Sequence, residues 1–136
     1  METIKVQIDW CGKNYAAYIY SPDFGLVTTT AKTAEQIKEA AAKALRFHIE
    51  GCRADGDDLP KWLTDGNYTL QFEMRTSAMM HQMLDYTTIA ALSRASGISH
   101  SQLSHYANAV AEPRPAQKQK IIDGFHAIGR ACMEFA

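Results

Sequence analysis

The sequence predicts an α+β protein: a β-β-β-α-β segment over residues 1–75, then an all-helical segment over residues 76–136. Three observations carry this. Apolar residues recur at every second position in several stretches before Thr76, and at helical spacing after it. The charge divides at the same point: residues 1–75 hold nine Lys/Arg against eleven Asp/Glu, whereas residues 76–136 hold five against four, with four of the five histidines. Apolar content of 46% with 21% charged residues suits packed domains and argues against wholesale disorder.

The elements follow in order. Ile4, Val6, Ile8 and Trp10 alternate with Thr3, Lys5, Gln7 and Asp9, the pattern of a strand with one wet face. Gly12 and Asn14 supply a tight turn, and the aromatic-rich run Tyr15–Tyr20 returns as the second strand of a hairpin. Pro22 and Asp23 end it, and Leu26–Ala31 is a third strand. Thr33, followed three residues later by Gln36, is a capping box that opens a helix. Its apolar stripe is Ile37, Ala40, Ala41, Ala44, Leu45 and His48, and Glu50-Gly51 is the expected stop. A polar loop over Asp55–Pro60 precedes a fourth strand in which Tyr68, Leu70, Phe72 and Met74 alternate with polar residues. Such an order makes a small sheet with one helix across it. Beyond Thr76, Met79, Met80, Met83 and Leu84 line a first helix, Ile89–Ala95 form a second, Ser99–Asn108 a third and Ala116–Phe135 a long last one.

Composition narrows the function classes. A net charge of −1 excludes a strongly basic nucleic-acid protein but leaves room for a modular DNA reader with a local basic patch. No apolar run reaches the roughly 20 residues of a membrane span, and the alternating, acidic N-terminus is unlike a signal peptide. Cys11, Cys52 and Cys132 are odd in number and far apart, which fits a reducing cytoplasm better than a disulfide framework or a zinc ribbon. A cytoplasmic protein without cofactor or metal is expected. His48 and Cys52 have a spacing that can hold zinc, but both continue an apolar stripe and read as core. The methionines read as core filler, and Cys132 as a side chain buried in the last helix or at a dimer contact.

The most specific local signal spans Thr88–Tyr106. Gly97 sits between two short helical patterns and can take the left-handed conformation that ends the first. Ser93 is small enough for a close helix crossing, while Leu92, Ile98 and Leu103 hold the pair together. Ser99 and Gln102 form a second capping box. Two helices joined by a short glycine turn make the helix-turn-helix arrangement, whose second helix enters the major groove. The run Leu92–Ser99 resembles the core of the phage Cro and repressor proteins, a similarity extending over roughly residues 78–130. That resemblance implies base reading by His100, Ser101, Gln102 and His105; Gln102 can pair bidentately with adenine. Arg94, Arg114, Lys118 and Lys120 are then the phosphate contacts, and Tyr106 packs at the helix end. Two positions depart from the pattern. Ser93 replaces the usual alanine, and Ala109–Glu112 replaces a loop that usually carries glycine and lysines, so non-specific affinity is expected to be weak and salt-limited. The alternative is a helical domain that only dimerises.

In the first half, Asn14–Tyr18, Pro22–Phe24, Thr28–Thr30, Thr33–Ala40, Leu45, His48–Gly51, Asp55-Gly56 and Pro60 fall in an order that resembles the HicB-type antitoxins of bacterial toxin–antitoxin operons. Gly25-Leu26 replaces the usual glycine-cysteine. The resemblance implies a partial ribonuclease-H-like fold without that enzyme's activity over residues 1–75, which masks a HicA-type mRNA-cleaving toxin. It also implies that residues 76–136 dimerise, or form a higher oligomer, and repress the operon's own promoter at a near-palindromic operator. The residues are compatible. Tyr15, Tyr18, Tyr20 and Phe24 are aromatic interface candidates that could equally pack under the helix, and Asp55, Asp57 and Asp58 could attract a basic partner or simply form a solvated turn. The rival readings are a stand-alone transcription regulator and a nuclease. For the nuclease, several carboxylates must converge on two metal ions. Asp9, Glu35, Glu39 and Glu73 are the candidates, and alternation puts Asp9 and Glu73 on the wet side of their strands.

Overall fold

The computed structural model describes residues 1–135. The chain is α+β and divides into two compact units, Met1–Arg75 and Thr76–Ala136. The first contains β1 (Glu2–Trp10), β2 (Tyr15–Ser21), β3 (Gly25–Ala31), α1 (Ala34–Ala54), α2 (Lys61–Thr64) and β4 (Tyr68–Met74). The second contains α3 (Thr76–Met83), α4 (Ile89–Ser96), α5 (His100–Ala107) and α6 (Pro115–Met133).

The four strands form one mixed sheet in the order β3-β2-β1-β4. The β1–β2 and β2–β3 pairs are antiparallel hairpins, and Gly12, at φ 85°, turns the first while the Cys11 N–H donates to the Asn14 carbonyl at 2.8 Å. The fourth strand returns parallel to β1, with Ile4 opposite Leu70 and Val6 opposite Phe72. A parallel return needs a long crossover, and α1 with the loop and α2 supplies it. Alternation sorts the side chains by face. Ile4, Val6, Ile8, Tyr15, Ala17, Ile19 and Val27 are buried on the inner face, where Ile37, Ala41, Leu45 and Ile49 of α1 pack. Helix α1 lies over β2 and β3, and the inward-facing Leu70, Phe72 and Met74 of β4 are only half-buried.

Three expectations are corrected here. Helix α1 does not stop at Glu50-Gly51 but runs to Ala54. Its stop is a Schellman closure around Gly56, at φ 79°: the Gly56 N–H donates to the Arg53 carbonyl and the Asp57 N–H to the Cys52 carbonyl. Gly51 keeps helical geometry, and Ile49 adds a turn to the buried stripe. The expected β-β-β-α-β order gains α2, which buries Leu63 and ends in a second Schellman closure at Gly66. Cys132 is not buried within the last helix but exposed on the single chain, α6 being far longer than the eight-residue helices beside it.

The second unit closes around Met80, Leu92, Ile98, Leu103, Tyr106, Ala107 and Ile121, with Met79, Ile89 and Phe125 partly buried against them. Where α5 ends, Ala109 takes φ 59°, the left-handed conformation that glycine usually supplies. The Val110 N–H donates to the His105 carbonyl and the Ala109 N–H to the Tyr106 carbonyl, so this is also a Schellman closure, made by a residue with a Cβ. Left-handed backbone costs an L-residue about 1–2 kcal/mol. Ala109→Gly is therefore expected to stabilise the unit by about 0.5–1 kcal/mol after the entropy of the unfolded glycine is subtracted. Urea denaturation measures it.

Candidate functional site

Local chemistry dictates the α4–turn–α5 segment. The Thr88 hydroxyl accepts from the Ala91 N–H at 3.0 Å and starts α4. Gly97, at φ 76°, ends it, its N–H donating to the Ser93 carbonyl at 2.9 Å. Ser93 does more than replace a small residue: its hydroxyl donates to the Ile98 carbonyl at 2.6 Å and ties the turn back to α4. The Ser99 hydroxyl accepts from the Gln102 N–H at 3.2 Å and starts α5. Each such cap contributes about 1 kcal/mol. Leu92, Ile98 and Leu103 are buried beneath the turn, so polar bonds fix it from outside and apolar contacts from inside.

This leaves His100, Ser101, Gln102 and His105 exposed, while Leu103, Tyr106 and Ala107 form the buried side of α5. Ser101 and His105 are four residues apart and share the side away from that core. Gln102 stands at its margin and is held there. Its Nε2 donates to the Tyr106 hydroxyl at 2.9 Å, and its Oε1 accepts from Gln117 Nε2 of α6 at 3.4 Å. A cleft of about 370 Å³ opens beside these three, lined also by Glu112, Pro113 and Arg114. Sequence reading missed Gln117; fifteen residues separate it from its partner, and no local spacing signals the contact.

The cations are spread. Arg94, Arg114 and Lys120 are exposed and Lys118 is half-buried. Lys118 and Lys120, two apart on α6, stand on different sides of the helix and do not form one patch with each other. Glu112 brings a negative charge just before α6, its carboxylate accepting from the Thr76 hydroxyl at 2.7 Å. His81 braces the far end of α5: its Nε2 faces the Ala107 carbonyl at 2.9 Å and therefore carries the donated proton.

Burial pushes the His81 pKa below 6.5, outweighing the opposing effects of the Ala107 carbonyl and Asp85. The unfolded chain then binds this proton more readily than the folded one. Stability is full above pH 6.5 and falls as pH drops from 6.5 through the depressed folded value. Thermal melts at pH 7.5 and 5.5 are expected to show this loss, and His81→Gln is expected to shrink the pH dependence.

In the first unit, Tyr15 and Phe24 are core residues: Tyr15 packs edge-on against Trp10, and Phe24 against His48, whose Nε2 donates to the Phe24 carbonyl at 2.6 Å. Tyr18 and Tyr20 point the other way, onto the outer sheet face. Tyr20 is 68% exposed beside Leu26, which is 60% exposed. Lys5, Gln7 and Glu73 adjoin the two tyrosines on this face. The Tyr18 phenol is raised above 10.0, first by its hydrogen bond with Cys11 Sγ at 4.0 Å. Asp55, Asp57 and Asp58 are exposed in the loop after α1.

The nuclease carboxylates are not brought together. Asp9 alternates onto the outer face and accepts from Gln7 Nε2 at 3.1 Å, whereas Glu35 and Glu39 are exposed on α1, which covers the inner face. Among the described residues no group of three or more His, Cys, Asp or Glu is arranged to hold a metal ion, and no helix is long and apolar enough to cross a membrane. Comparisons with protein-family models, curated proteins and solved structures find no match to this chain.

Proposed function

We propose that this chain is a helix-turn-helix repressor whose first unit docks a partner protein, the arrangement of a HicB-type antitoxin that masks a HicA-type mRNA-cleaving toxin. The observation that carries the reading is the capped α4–Gly97–α5 segment with His100, Ser101, Gln102 and His105 exposed along α5. In this reading α5 enters the major groove and those four side chains meet base edges, while Arg94, Arg114, Lys118 and Lys120 engage phosphates. A two-fold dimer presents two such helices about one helical turn apart, hence a near-palindromic operator. The first unit is a partial ribonuclease-H-like domain acting by binding, not catalysis. Its outer face offers Tyr18 and Tyr20 as aromatic anchors for the toxin. Toxin occupancy alters operator affinity to the extent that the toxin distinguishes free from DNA-bound antitoxin.

Co-expression with the product of the neighbouring gene tests the whole reading. A stoichiometric complex that also shifts a duplex of the chain's own promoter is expected. Promoter binding without a co-purifying partner overturns the antitoxin half in favour of a stand-alone regulator. Failure to bind the promoter overturns the repressor half and leaves a helical unit that only dimerises.

A further inference from the structure

Gln102 is the base-reading candidate on α5 whose side-chain amide is held at both its polar atoms. Tyr106 and Gln117 each hold one polar atom of its amide. The Tyr106 hydroxyl accepts from Nε2 at 2.9 Å, and Gln117 donates to Oε1 at 3.4 Å. Tyr106 is 7% exposed, so the core fixes its ring. A glutamine amide has two N–H donors and two oxygen lone pairs. These contacts take one of each and leave one donor and one acceptor free.

We infer that Tyr106 and Gln117 are positioning residues that hold the Gln102 amide in place to meet a base edge. The inference rests on the proposal that α5 reads DNA. Adenine offers an acceptor and a donor side by side in the major groove, and a glutamine meets both only with its amide the right way round. Gln117 reaches α5 from the first turn of α6, so the specificity of α5 is set in part by a residue outside it. Neither Tyr106 nor Gln117 need touch a base.

Changing the polarity of the clamp tests this. Gln117→Ala removes the donor to Oε1 without replacing it. Gln117→Glu supplies an acceptor in its place, which favours an amide rotated so that Nε2 faces residue 117 and Oε1 accepts from the Tyr106 hydroxyl. Tyr106→Phe removes the hydroxyl and keeps the ring. The full chain and its variants are used to select from a duplex DNA pool with a randomised core, and melting temperatures check folding.

For Gln117→Ala and Tyr106→Phe the expected result is relaxation at one base pair per half-site, by about tenfold, with the other positions kept. For Gln117→Glu the preferred base at that position changes instead of merely fading. A packing role would weaken all positions together and could not exchange one base for another. The inference is overturned if all three variants keep the wild-type preference while Gln102→Ala loses one position, or if they weaken every position equally. If the unaltered chain enriches no sequence, the DNA-reading proposal itself fails, and this inference with it.

Discussion

The double variant Gln102→Ala/His105→Ala is expected, on the proposed function, to lose sequence preference for the promoter while keeping its fold and the masking of a toxin. Both side chains are exposed, and the buried side of α5 consists of Leu103, Tyr106 and Ala107, so truncation opens no cavity. A good bidentate base contact discriminates by about 1–3 kcal/mol, and a two-fold dimer makes it twice, so the preference falls by at least about 30-fold. Binding to non-operator DNA is expected to keep its salt dependence, because neither residue is among the phosphate candidates. Titration of promoter and scrambled duplexes measures both. Unchanged promoter preference in the double variant contradicts the assignment of α5 as the reading helix.

Gly124→Val is expected to be the most damaging change in the second unit. Gly124 is buried on α6 where α4 crosses it. A Cβ there would lie 3.0 Å from Leu92 Cδ1 and 3.1 Å from Ser96 Cβ. Leu92 is fully buried among Ile98, Leu103 and Ile121 and has nowhere to move. The helices must separate, and such overpacking costs about 2–3 kcal/mol. For a unit of this size that lowers the melting temperature by roughly 8–24 °C. Gly129 on the same helix is the control: apart from its own stretch of helix, nothing lies within 4 Å of where its Cβ would be. Gly129→Ala should gain about 0.5–1 kcal/mol of helix propensity. Equal melting temperatures for Gly124→Val and the unaltered chain would contradict the close crossing.

What was legible in the sequence was local. Alternation along β1 fixed which of its residues are buried, and the hydroxyls of Thr33 and Ser99 each receive the N–H three residues on. What was not legible depends on distant partners. The parallel return of β4 to β1 leaves no trace in either strand's own alternation. Helix α2, at four residues, is too short to show a period. The end of α1 differs from the expected one because a glycine inside a helix and a glycine that ends one look alike in sequence; of Gly51 and Gly56, only Gly56 takes positive φ. The aromatic hairpin was legible as aromatic but not as two faces, and the structure puts Tyr15 and Phe24 in the core and Tyr18 and Tyr20 toward the outer face. At the candidate site the row on α5 was implied by the resemblance to the Cro and repressor proteins, and the structure leaves those four side chains exposed. The clamp on Gln102 was not legible, because its second half comes from α6.

The most direct test of the DNA-reading claim is a titration of the full chain against its own promoter duplex and a scrambled duplex of equal length and composition, at several salt concentrations. The account predicts tighter binding to the promoter by about 10³-fold or more. It also predicts a log–log salt slope of about −3 to −4 per protomer, the value for four phosphates neutralised by Arg94, Arg114, Lys118 and Lys120. Equal affinity for the two duplexes would contradict it.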